Sequence, residues 1–225
     1  MDLSSPAGVR AALREGYAKV AQRLGASYTV ARPQGATAPL SRVVAARQAS
    51  FSNEDYRYAK PAGYGDATLY GFFDFDGIQP GDYMTGEGRT LFVAAMQPML
   101  PILAVLCNAV VRLTRHNAFG APGDGTGSAV GAAPYSAVEE GADEVLLAGW
   151  PASVLLGGRS SAGRGERDLP ASVMQTGFIV LLPASVPIEI LHGDTLTDDL
   201  GRRYSVIAAE ASALGWRLHA TELHA

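Results

Sequence analysis

Asp74 and Asp76, in Phe73-Asp74-Phe75-Asp76-Gly77, are the residues whose types and spacing come nearest to a reactive site. On an extended segment side chains two apart share a face, so both carboxylates could meet one divalent cation, as metal-dependent transferases require. Asp-Gly is also an ordinary turn pair, and no third ligand lies nearby in sequence. Nucleophilic chemistry finds less support. There is no Gly-x-Ser-x-Gly elbow, and Cys107, the only cysteine, sits in the apolar run Leu103 to Val111, where a thiol behaves as a small inert hydrophobe. A single cysteine also excludes an intrachain disulfide and a CxxC site. His192 precedes a turn, His219 and His224 lie near the last residues, and His116 is merely close to Cys107 in sequence, so none marks a nucleophile–base pair. Gly123-Asp124-Gly125-Thr126-Gly127-Ser128 lacks the lysine of a phosphate-binding loop and opens no helix. The expectation is no catalytic residue, no metal and no cofactor.

Residues suited to contact are easier to find. Arg159, Arg164 and Arg167 stand among glycines and serines in Gly157 to Arg167. They suit a DNA or phosphate contact, an acidic surface on a partner subunit, or, in a ring, a lumen that DNA crosses. Tyr56, Tyr58 and Tyr64 lie between Asn53 and Gly65; each offers apolar area and one polar tip, for a partner or for the chain's own core. Val9, Leu13 and Tyr17 recur at helical spacing near the N-terminus and form a third candidate contact surface.

These residues need elements to hold them. The chain has 225 residues, 48% hydrophobic and 18% charged, with 26 glycines and 13 prolines. That length allows one large or two small domains, and the glycines and prolines favour short strands over long helices. A formal net charge of −4 with no basic block gives no reason to expect nucleic-acid wrapping. Met1 to Pro6 lacks the basic-then-apolar order of a secretory signal. The longest apolar run, Leu91 to Val111, carries Pro98 and Pro101, which would break a spanning helix; it reads as two buried strands around a Pro-Met-Leu-Pro turn. Pro6 to Leu24 is the one clear helix, capped by Ser5, started by Pro6 and stopped by Gly25. Too short to stand alone, it must pack on its own body or on a neighbouring subunit.

The rest reads as strands and turns, and one pattern occurs twice. Gly81-Asp82-Tyr83-Met84-Thr85 precedes Gly88-Arg89-Thr90-Leu91-Phe92-Val93, and Gly193-Asp194-Thr195-Leu196-Thr197 precedes Gly201-Arg202-Arg203-Tyr204-Ser205-Val206. Each is a Gly-Asp turn, a short strand, a second turn and a returning strand. Asp82 and Asp194 are expected to accept hydrogen bonds from their own turns. The division that follows is an N-terminal helix (1–25), a first β domain (26–118), a Gly/Ala-rich linker (119–134) and a second β domain (135–225). The fold class is mainly β, two tandem small antiparallel barrels or sandwiches with an N-terminal helix.

The second half resembles the head–tail joining proteins of tailed bacteriophages, through His192-Gly193-Asp194-Thr195-Leu196-Thr197 with Gly201-Arg202-Arg203-Tyr204-Ser205-Val206, and the closing Leu214-Gly215-Trp216-Arg217-Leu218. The first half is similar to phage and prophage virion proteins through Tyr28 to Pro33, Phe72 to Asp76, Gly81-Asp82-Tyr83 and Gln97 to Ile102. The resemblance implies a non-enzymatic structural protein of the virion, assembled in the bacterial host cytoplasm as a homo-oligomeric ring in the neck. Its implied partners are further copies of itself, portal or adaptor proteins and tail proteins, with DNA passing through the lumen and no membrane. Two alternatives remain open: a tail-tip or baseplate component that binds the host through the tyrosines, and a metal-dependent carbohydrate-active enzyme using Asp74 and Asp76.

Overall fold

A computed structural model describes residues 5–52, 67–97, 100–116, 143–157 and 177–223. Helix α1 spans Pro6–Leu24, and the Ser5 hydroxyl accepts a hydrogen bond from the Gly8 N–H at 3.1 Å. Gly25 ends the helix for a steric reason. Its φ of −98° is open to any residue, but a Cβ there would lie 2.5 Å from the carbonyl oxygens of both Ala21 and Ala49. The helix therefore meets strand backbone where the chain turns, and Ala21, fully buried, is the small residue that permits it.

The chain then forms two closed antiparallel barrels of six strands each. The first contains β1 (Ala26–Ala31), β2 (Val43–Ser52), β3 (Thr68–Phe73), β4 (Tyr83–Gly86), β5 (Arg89–Ala95) and β6 (Ile102–Cys107), in the spatial order 1-2-3-6-5-4. The second contains β7 (Ala109–His116), β8 (Asp143–Leu156), β9 (Gly177–Leu182), β10 (Thr195–Thr197), β11 (Arg203–Ser212) and β12 (Gly215–Leu223), in the order 7-8-9-12-11-10. The two topologies are identical. The duplication extends from the recurring hairpin to whole six-stranded modules, and even the β-bulge recurs, between Val93 and Ala95 in β5 and between Val206 and Ala208 in β11.

Alternation explains the packing. In β5 and β6, Leu91, Val93, Ile102 and Ala104 point into the first barrel, beside Tyr28, Phe73 and Met84. Phe92, Ala94 and Val105 point the other way and pack against the second barrel, whose interior holds Leu113, Leu147, Val180, Leu196, Tyr204 and Leu218. Among the described residues both barrel interiors are packed with buried side chains, as in other small barrels.

The barrels are joined without a linker. Asn108 alone separates β6 from β7, and it binds β8 at three points: its N–H donates to Ala152 O (3.0 Å), its Nδ2 to Val154 O (2.8 Å), and its Oδ1 accepts from Val154 N (2.7 Å). The domain boundary therefore falls at Asn108 and not in 119–134. That stretch lies outside the described residues and connects β7 to β8, two strands of the same barrel. The apolar run Leu91 to Val111 likewise holds two strands as expected, then the start of a third, which belongs to the second barrel.

Candidate functional site

The duplicated feature with the most defined chemistry is a clamp between a partly exposed arginine and a buried aspartate. In the first barrel Arg32 donates from Nε to Asp82 Oδ1 (2.8 Å) and from Nη2 to Asp82 Oδ2 (2.7 Å) and Gly77 O (2.8 Å). In the second, Arg115 donates from Nε to Asp194 Oδ1 (2.7 Å) and from Nη2 to Asp194 Oδ2 (2.9 Å) and Glu189 O (3.0 Å). Each aspartate also accepts from its own turn, from Gln79 N at 3.0 Å and from Leu191 N at 2.8 Å. Both aspartates are 1% exposed. The hydrogen bonds they donate to the carboxylates push both guanidinium groups further up, which keeps them charged.

The clamps sit where each barrel closes. β1 and β4 pair over only three residues, as do β7 and β10. Arg32 follows β1 and Asp82 precedes β4, while Arg115 stands near the end of β7 and Asp194 precedes β10. Bidentate pairing across a short ladder therefore fastens the seam, and both oxygens of each carboxylate are engaged in it. The expected turn hydrogen bonds of Asp82 and Asp194 are present. The arginine partners went unforeseen, because their only sequence signal is an arginine after a short apolar strand, many residues from the Gly-Asp turn.

The hairpin tips differ. The first turns in two residues, Glu87 (φ 51°) and Gly88 (φ 72°), both left-handed as a type I′ turn requires. The second uses Asp198 to Arg202 between paired Thr197 and Arg203. There the buried Asp198 accepts from Leu200 N (3.0 Å), Arg202 N (2.8 Å), Arg202 Nε (2.8 Å) and Tyr204 OH (3.1 Å). Burial pushes this carboxyl up, and the hydrogen bonds from Arg202 and Tyr204 outweigh it, so the net displacement is downward. Burial, with the Asp198 contact, pushes the Tyr204 phenol up to about 12.

Asp74 and Asp76 do share one side of the chain, and what they meet is an arginine of the helix. Arg14 lies 3.6 Å from Asp74 Oδ1 and 3.2 Å from Asp76 Oδ1. Asp74 Oδ1 accepts from Asp76 N at 3.1 Å, and Arg47 donates to the carbonyls of both residues. Among the described residues no group of three His, Cys, Asp or Glu side chains could hold a metal ion. The pair fastens α1 to the first barrel.

The helix candidates face the same barrel. Tyr17 stands edge-on to Phe72 at 5.3 Å and to Phe75 at 6.3 Å, and Arg10 covers Phe75 at 5.7 Å. Val9 and Leu13, half-buried, line a groove of about 540 Å³ with Phe75, Met96, Leu100 and Ile102. Tyr56, Tyr58, Tyr64, Arg159, Arg164 and Arg167 lie outside the described residues. Cys107 is partly exposed, and burial of its sulfur pushes the thiol well up, as an unreactive cysteine requires. His116 pairs with Asp143 (3.1 Å) on the surface, and His192 Nδ1 lies 2.9 Å from Ile207 O. Among the described residues no helix is long and apolar enough to cross a membrane.

The joint between barrels is the other elaborated surface. Tyr83 OH donates to Pro151 O at 2.7 Å, and its ring lies 6.2 Å from that of Trp150, whose Nε1 donates to Ala36 O at 2.8 Å. Ser185 Oγ donates to Gly81 O at 2.9 Å, and the left-handed Gly81 (φ 93°) has no room for a Cβ, which would lie 2.7 Å from that of Ser185. These contacts hold the first barrel to the second. Comparison of the chain with protein-family models, curated proteins and solved structures returned no match.

Proposed function

We propose that this chain is a non-enzymatic structural protein of a tailed-phage virion that forms a homo-oligomeric ring in the neck. One observation carries the proposal: the Gly-Asp, Gly-x-x-Tyr-x-Val hairpin that resembles head–tail joining proteins forms the β10–β11 pair of a closed barrel, and its Gly-Asp turn is fastened at that barrel's seam. The same module is built twice, with filled lumens and a module-to-module contact between unlike faces. Such rigid blocks suit a load-bearing joint. Their most defined polar groups, the clamps, are saturated by structural hydrogen bonds, which favours assembly over turnover.

Deleting the coding sequence from the phage or prophage that carries it tests the proposal. The expected lysate contains DNA-filled heads that leak and lack tails. Complete particles that fail only to adsorb would support the tail-tip alternative instead, and complete infectious particles would remove the protein from the assembly pathway.

A further inference from the structure

Matching strands between the barrels show which faces the fold uses for contact and which it leaves open. In the first barrel the outer face of β4–β5–β6 meets the second barrel through Tyr83, Phe92 and Val105, all at most 4% exposed. Strand pairings put Thr195, Ser205 and Thr221 at those positions on the outer face of β10–β11–β12. Beside them Ile207 is 48% exposed and Leu223 42%. At the other end of the molecule, α1 covers β2, β3 and the β3–β4 loop. The elements matching β2 and that loop in the second barrel, β8 and the β9–β10 loop, are the ones the first barrel covers. Helix, first barrel and second barrel thus follow one another in series, each lying on the corresponding side of the next. The series ends on the outer β10–β11–β12 face, which no other element among the described residues covers.

We infer that this face receives a second copy of the chain, head to tail, with the incoming copy presenting the outer side of its α1. The occupant follows from continuity. The contact made by the equivalent strand face is with another module of this same chain, and the side that would repeat it in a second copy carries α1, where Leu24 is 78% exposed and Val20 36%. Contact between unlike faces generates a closed ring if the rotation closes. The inference deepens the neck-ring proposal and rests on it.

The test uses the purified full-length chain over a concentration series by light scattering, with cysteine cross-linking in a Cys107→Ser background. Ile207→Asp with Leu223→Asp is expected to weaken self-association about tenfold or more, while circular dichroism stays unchanged because both side chains are exposed. Leu156→Asp, 68% exposed at the end of β8, should associate as wild type does. Mixed Leu24→Cys and Ile207→Cys chains should give the mixed cross-linked dimer. Wild-type association by the double aspartate variant would overturn this face and leave the ring standing. Self-cross-linking of Ile207→Cys alone would mean a two-fold contact and overturn the head-to-tail order. A wild-type chain that stays monomeric throughout would overturn both the inference and the ring.

Discussion

The two barrels agree inside and at the seam, and differ outside. Met84 and Leu196, Leu91 and Tyr204, Val93 and Val206 fill corresponding interior places, all at most 1% exposed. On the outer face the positions held by Tyr83, Phe92 and Val105 in the first barrel are held by Thr195, Ser205 and Thr221 in the second. Closure of the barrel fixes the interior and the clamp, because both must fit the same six strands. The outer face is free to follow its neighbour, and its aromatic character in the first barrel matches the contact it makes there with the second.

Large effects should come from breaking what the barrels share. Asp82→Ala and Asp194→Ala each remove the carboxylate from its guanidinium and from a buried turn N–H, and each should cost about 3–4 kcal/mol by urea unfolding. A small loss at either site would show that its seam does not depend on the clamp. Next comes what they do not share. Tyr83→Ala should cost about 3–5 kcal/mol through the lost interbarrel packing, while Thr195→Ala should stay within about 0.5 kcal/mol. Equal costs would deny that the two faces serve different purposes.

The hairpin tips give a pH-dependent comparison. Asp198 titrates below its ordinary range in the folded chain, so its contribution is complete above the unfolded-state value and fades as pH falls through the folded one. Asp198→Asn should therefore destabilise at neutral pH, by about 1–3 kcal/mol, and the gap from wild type should close between about pH 5 and pH 2. A gap that is constant with pH would assign the effect to packing. The smallest contrast lies in the glycines. Gly193→Ala should cost about 1 kcal/mol for its left-handed φ of 88°, with open space around the added carbon; Gly81→Ala should cost more, because it also strikes Ser185. Equal values in thermal melts would mean that Ser185 yields freely.

Much of the fold was legible because it is written in local pattern. Ser5, Pro6 and Gly25 mark the helix ends, and the Gly-Asp turns mark the hairpins in both modules. The boundary was not legible. Asn108 sits within an apolar run, and its role depends on hydrogen bonds to Val154, far along the chain, whereas the Gly/Ala-rich stretch at 119–134 looks like a linker by composition alone. The clamps escaped for the same reason: an arginine pairs with an aspartate 50 residues away in one barrel and 79 in the other, and only barrel closure brings them together. Asp74 and Asp76 show the converse. Their spacing places both carboxylates on one side, and the cation they meet is Arg14 of the helix.

Labelling the chain in assembled particles tests the functional account most directly. With a C-terminal affinity tag and gold imaged by electron microscopy, the account predicts label confined to the junction of head and tail. Label at the tail tip, or particles with none, would contradict it.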